Sequence, residues 1–167
     1  VLLDIREVMA YQGEPVGAEG QPLRWTPLAG LRSSEFPAAD RPVLTALRLP
    51  QRYLITGKAE DETGFMAKLE DAMKQGIQLI QFRAPELAPE PYLERAEKVV
   101  EMAHQAGARV LLNGDPAWVE RVGADGIHLN GHRLSELTGR PLREGLLISA
   151  SCHNERELEQ AAVVGVD

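Results

Sequence analysis

Several short polar clusters could do chemistry, and each closes an apolar run. Gln81-Phe82-Arg83 ends the run Ile77 to Phe82. Side chains alternate along a strand, so Gln81 and Arg83 share one face, and an amide beside a planar guanidinium suits a phosphate or pyrophosphate. Asn113-Gly114-Asp115 follows Val110-Leu111-Leu112, and His128-Leu129-Asn130 ends the run from Gly126. Ser149-Ala150-Ser151-Cys152-His153 closes the run from Leu146, with Ser149, Ser151 and His153 on one face. Asp115, directly before Pro116, reads most simply as a helix cap. His128 and His132 are spaced like metal ligands but straddle a strand end without a third ligand, so no metal is expected there. Cys152 points away from the His153 face and reads as a packed thiol. His104, near a helix C-terminus, reads as favourable to the helix dipole.

These clusters need elements to hold them. From Tyr53 onward apolar runs alternate with amphipathic helices. Strands are expected at Tyr53-Leu54-Ile55, Ile77 to Phe82, Val110 to Leu112, Gly126 to Leu129 and Leu146 to Ala150, with another beginning at Val163-Val164. Helices are expected around Glu62 to Gln75, Pro89 to Ala106, Pro116 to Val122 and Asn154 to Ala162. In the second of these, Tyr92, Ala96, Val99 and Ala103 form a buried stripe, with Glu94, Glu97, Lys98 and Glu101 outside. Gly76 and Gly107 stand where helix ends need positive φ. Strands recurring after crossover helices imply a parallel α/β sheet, either doubly wound or a (β/α) barrel, and ligands there sit at the carboxyl ends of the strands.

Residues 1 to 50 differ. Pro15, Pro22, Pro27, Pro37, Pro42 and Pro50 make this part turn-rich. A strand is plausible from Leu3 to Tyr11, then a glycine-bearing loop, a short strand at Leu23 to Trp25, and a helix from about Arg41 to Leu47 with Asp40 as N-cap and Pro42 in its first turn. Leu49-Pro50-Gln51 is the seam between regions 1–50 and 51–167. Val1-Leu2-Leu3 and Val166-Asp167 both read as cut from a longer chain.

Composition narrows the partners. At 167 residues, 44% hydrophobic and 26% charged, the chain has a globular composition. A formal charge of −7 argues against nucleic acid or an anionic membrane and favours small molecules. One cysteine and no long apolar segment fit a reducing cytoplasm.

Taken in order, Gln81-Phe82-Arg83, Leu111 to Asp115, Ala124-Asp125-Gly126-Ile127-His128-Leu129 and Ser151-Cys152-His153 resemble the thiamine phosphate synthase and TenI superfamily, over about Tyr53 to Asp167. The resemblance implies an incomplete (β/α)8 TIM barrel of five to six β/α units, with Gln81, Arg83, Asn113 and Ser151 binding a thiazole or pyrimidine phosphate. It places the synthases' magnesium carboxylates at Gly114 and Arg133, and their extra lysine at Pro85. That departure favours the TenI branch, whose thiazole tautomerase activity needs proton transfer and no metal, with His153 as the acid/base. Family glycines that seat phosphate would fall after residue 167.

Gly17 to Trp25 and Phe36 to Val43 resemble the end of a MutT-type Nudix hydrolase, an α+β fold. That resemblance implies a purine-reading residue at Asp40, where relatives carry Asn, and a Nudix box upstream that would bring Mg²⁺. No cofactor is expected in this chain itself. The expected parent is a fusion of an 8-oxo-dGTP diphosphatase-like hydrolase with a TenI-like barrel. The alternatives are an active thiamine phosphate synthase and a non-catalytic sensing or scaffold barrel. This chain alone is expected to be inactive, with oligomers possible through unpaired barrel edges.

Overall fold

The five apolar runs between Tyr53 and Ala150 become parallel strands, each followed by a helix that returns the chain to the same end. The computed structural model describes residues 6–37, 40–58 and 61–167. Ten elements follow one another as β1 (Leu54–Ile55), α2 (Glu62–Lys74), β2 (Leu79–Phe82), α3 (Pro89–Gln105), β3 (Arg109–Leu112), α4 (Ala117–Val122), β4 (Gly126–Leu129), α5 (Gly131–Glu136), β5 (Leu147–Ala150) and α6 (Glu155–Val164). They are preceded by α1 (Arg41–Arg48). The five strands lie in sequential order β1-β2-β3-β4-β5, all parallel.

Local chemistry sets the helix ends. Asp61, Asn130 and Asn154 cap α2, α5 and α6, accepting from Gly64 N, Arg133 N and Glu157 N respectively. Gly76 and Gly107 follow α2 and α3 with φ of 85° and 71°. Along the strands Ile80, Phe82, Val110, Leu112, Ile127, Leu129 and Ile148 join one core with Tyr92, Leu93, Ala96, Val99 and Ala103 of α3. Alternating with them, Leu79, Gln81, Leu111 and His128 are buried on the other face of the sheet.

That other face is concave. In a flat sheet with strands ~4.8 Å apart, β1 and β5 would stand roughly 19 Å from each other. Yet the Tyr53 hydroxyl, just before β1, lies 3.3 Å from Ser149 Oγ in β5. Only a sheet curled toward closure brings them together, and this decides for a barrel-type curl over a doubly wound sheet. Tight strand spacing depends on Gly126, where an added Cβ would lie 2.0 Å from the Leu147 carbonyl oxygen.

The N-terminal region departs from expectation. Neither Arg6 to Tyr11 nor Leu23 to Trp25 forms a strand; both are irregular, because no partner strand accepts their hydrogen bonds. Leu3, Asp4 and Ile5, the start of the first of these, lie outside the described residues. Two short 3₁₀ turns, Leu28–Gly30 and Ser33–Glu35, lead toward α1. An Arg48 guanidinium bonds the Leu31 carbonyl, and Arg109 at the start of β3 donates to the Arg48 carbonyl at 3.3 Å. These bonds place the end of α1 at the amino end of the strands. Val163-Val164 is also corrected: it forms the last turn of α6, which Gly165 ends at φ 72°.

Candidate ligand site at the carboxyl rim

The rim is built where β4 and β5 run in register. His128 pairs with Ser149, so Ser151, two residues on, reaches the same imidazole. His128 Nδ1 lies 2.8 Å from Ser149 Oγ, and Nε2 lies 2.9 Å from Ser151 Oγ. Burial holds the imidazole's pKa below its ordinary value. Burial also raises the Tyr53 phenol, although its bond to Ser149 acts the other way. The metal pairing of His128 with His132 has no geometric support: both His128 nitrogens face serines, and His132 lies 3.6 Å from Glu136 on exposed surface.

On the opposite wall, the Thr56 hydroxyl accepts from Arg83 N at 2.8 Å and donates to Arg83 O at 3.0 Å, locking the ends of β1 and β2 together. Gln81 is 2% exposed, and its Oε1 has no hydrogen-bond partner among the described residues. Arg83 is exposed at the strand end. Asn113 is half-buried beside them, its backbone N bonded to Phe82 O at 2.9 Å.

The positions the resemblance assigns to magnesium hold something else. At Gly114 an added Cβ would sit 2.8 Å from the Trp118 ring and 3.5 Å from the Tyr92 hydroxyl. Tyr92 itself donates to Phe82 O, and burial raises its pKa strongly, against a smaller opposing pull from the Arg133 charge. Asp115 is not the cap residue of α4, which Pro116 heads; its Oδ1 accepts from Ala117 N at 2.9 Å in the turn just before that helix. Among the described residues no group of three His, Cys, Asp or Glu could hold a metal ion. A glycine wedged under an indole and a cation do not fit Mg²⁺.

Other sequence candidates are placed less centrally. The His153 side chain is 74% exposed, with Nδ1 3.2 Å from Glu157 Oε2. That same oxygen accepts from His153 N at 2.6 Å, and the His153 backbone N–H is the main cause of the lowered Glu157 pKa. So the structure joins Ser151 to His128 and Ser149, sets Gln81, Arg83 and Asn113 on adjoining strand ends, and ties His153 to the first turn of α6. Among the described residues no hydrogen bond links His153 to the other four. Cys152 packs against the core, near the Glu157 carbonyl. Asp40 heads α1, whose other end is tied to the amino end of the strands, and its side chain makes no capping bond.

Sequence reasoning missed two features. Tyr53 was read only as part of a strand, and His128 as a strand-end polar residue and an unsupported metal ligand, with no partner named for either. Their partnership with Ser149 needs the β4–β5 register, which the sequence alone does not contain. His104 also does more than favour a dipole, since its Nε2 lies 2.9 Å from Asp125 Oδ2.

A curled, sequential parallel sheet with helices outside and polar side chains at its carboxyl rim defines a barrel-type α/β protein. The family model described as thiamine monophosphate synthase, TMP-TENI, matches residues 52–167, and the chain belongs to that family. It is 31% identical over 122 residues to a thiamine-phosphate synthase of Azoarcus sp. strain BH72, covering 72% of this chain and 59% of the relative. A probable thiamine biosynthetic bifunctional enzyme of Schizosaccharomyces pombe is 27% identical over 118 residues, 69% of this chain and 23% of that protein. Among solved structures, thiamine phosphate pyrophosphorylase from Pyrococcus furiosus shares the fold, with a TM-score of 0.53 at 20% identity over 69% of this chain and 56% of that one. The chain thus spans less than two thirds of these relatives, and residues 1–51 lie outside the family match.

Proposed function

We propose that residues 51–167 supply the first part of a barrel that binds phosphorylated pyrimidine and thiazole compounds in thiamine biosynthesis and joins them, as its relatives' names imply. The observation that carries this reading is Gln81: a nearly inaccessible amide whose oxygen is unpartnered among the described residues, two residues before the exposed Arg83. A buried acceptor without a donor is costly unless a ligand or water fills it, so the site favours a ring bearing N–H groups. Arg83 adds a planar fork of donors for its phosphates. Asn113 and Ser151 close the ligand's other sides as hydrogen-bonding groups.

Magnesium does not fit at Gly114 and Arg133, so no step is assigned to it. In its place Arg83, with Arg133 on α5, would bear the phosphate charge. The test is formation of thiamine phosphate by the full-length protein from the pyrimidine diphosphate and thiazole phosphate. Arg83→Ala should abolish it, and no product from the unaltered full-length protein would refute the joining reaction.

A second reading is favoured by one observation, the bonding of His153 to Glu157. A carboxylate that orients an imidazole suits proton transfer, and thiazole tautomerisation needs nothing more. It predicts tautomerase activity lost in His153→Ala while thiazole phosphate still binds. Binding without either turnover would instead favour a sensing or scaffold barrel.

For residues 1–50 the Nudix-like reading rests on the resemblance of Gly17 to Trp25 and Phe36 to Val43, with Asp40 as the base-reading residue. Mg²⁺-dependent hydrolysis of 8-oxo-dGTP by the full-length protein would support it; absence of that activity would remove it. The expected setting of both halves is the cytoplasm.

A further inference from the structure

The concave face carries a continuous polar chain whose inner members, Tyr53, Ser149 and His128, the proposed reaction does not use. It runs from Tyr53 through Ser149 and His128 to Ser151, with contacts of 3.3, 2.8 and 2.9 Å. It starts before the first strand, crosses the curled sheet and ends at the carboxyl rim. His128 meets the expected ligand site through Ser151, and Tyr53 reaches it only through Ser149 and His128.

Hydrogen-bond arithmetic constrains this chain. A neutral imidazole has one N–H and one bare nitrogen, so one serine must donate to His128 and the other must accept from it. A serine hydroxyl has one proton, so each choice fixes the next bond. Two senses keep the Ser149 proton in a bond; a third, in which Ser149 accepts from both Tyr53 and Nδ1–H, leaves that inner proton without a partner and is costly. If the chain starts at Tyr53, its O–H donates to Ser149, Ser149 donates to Nδ1, and Nε2–H donates to Ser151. The Ser151 proton is then free for the rim. In the opposite sense Ser151 spends its proton on Nε2 and can only accept from a ligand.

Tyrosine breaks the tie. Its phenol is far more acidic than an aliphatic hydroxyl, and conjugation weakens its oxygen as an acceptor, so it is the better donor of the pair. We infer that His128 is a positioning residue, held by Tyr53 and Ser149 as the Nε2–H tautomer, and that it presents Ser151 to the rim as a hydrogen-bond donor. The ligand group this selects is an unprotonated acceptor, a phosphate oxygen or a bare ring nitrogen. The inference rests on the proposed function only for Ser151 meeting a ligand; the tautomer is a property of the protein itself.

Nitrogen-15 NMR of the imidazole at about pH 8, where histidine is neutral, reads the tautomer directly in this chain without any ligand. The expected result is protonated Nε2 and bare Nδ1 for His128 in the unaltered chain. Tyr53→Phe removes the first donor and should turn that single state into a mixture. A dominant Nδ1–H form, or no change in Tyr53→Phe, overturns the inference.

A second measurement uses the full-length protein and thiazole phosphate. Tyr53→Phe should weaken binding roughly 5- to 10-fold, the size of one misdirected hydrogen bond. The same substitution in a Ser151→Ala background should add nothing, because the hydroxyl it orients is gone. Equal weakening in both backgrounds would make Tyr53 merely structural and overturn the inference. If thiazole phosphate does not bind at all, the proposed function fails, while the tautomer still judges the relay.

Discussion

Asp125 offers a sharp test of how this sheet is held. Its Oδ2 accepts from Val110 N at 2.8 Å and lies 2.9 Å from His104 Nε2. Its backbone meanwhile bonds Val110 O and Leu147 N, so one residue stitches β3, β4 and β5. Replacement by alanine leaves the backbone bonds intact but strips the acceptor from a strand N–H whose residue is wholly buried. A lost bond to a charged group with an unpaired buried donor costs about 2–3 kcal/mol. The His104 pair adds little, because both side chains are partly exposed. Asparagine keeps an acceptor for Val110 N and should cost only about 1 kcal/mol. For a chain of this size these figures correspond to falls in Tm of roughly 5–10 °C for Asp125→Ala and about 2–4 °C for Asp125→Asn. Circular dichroism melts at matched concentration give the comparison. Hydrogen exchange gives the cause, since the Val110 amide should lose protection in the alanine variant and keep it in the asparagine one. Equal melts for the two variants, or unchanged Val110 protection in Asp125→Ala, would refute the reasoning.

Gly126→Ala should prevent β4 from pairing with β5, a loss of at least about 10 °C in Tm, because its Cβ would meet a backbone oxygen at 2.0 Å; Gly139→Ala, with open space around it, is the neutral control. Tyr92→Phe should cost only about 1 kcal/mol by urea denaturation, since Phe82 O keeps the Asn113 N–H after the phenol is removed. His128 titrates below its unfolded value, so the unfolded chain takes up a proton first. Stability from this group is therefore complete above about pH 6.5 and falls as pH drops toward the folded value, and melts of His128→Gln should lose that part of the slope. Because β1 and β5 each pair on one side only among the described residues, light scattering should find oligomers, and Ile55→Lys on the exposed β1 edge should reduce them.

The alternation of apolar runs and amphipathic helices after residue 53 was legible because burial on a parallel sheet demands it, and five expected strands formed where the runs stood. Gly76 and Gly107 announced helix ends through the φ only glycine adopts freely. The failures have equally local causes. Val163-Val164 looked like a strand because β-branched residues favour one, but Gly165 follows at a C-cap and Val164 buries against the core as helix. α5 was missed because six residues with one buried side chain, Leu134, carry no readable period. Leu23 to Trp25 had strand-like composition with no strand to meet. At the rim, the strand-end positions of Gln81, Arg83 and Asn113 were legible because apolar runs stop there. The Tyr53, Ser149 and His128 chain depends on curl and register, and neither leaves a mark in the residue order.

The sequential strand order has a consequence for how the protein comes into being. Every strand's partner lies just one helix away along the chain, so each closure spans a short loop and little entropy stands in its way. A polypeptide emerging from the ribosome can lay down its sheet stave by stave, each new unit seated on the last without disturbing what is already built. The bond from Tyr53 to Ser149 ties the first stave to the fifth, and it records that the bend has been completed.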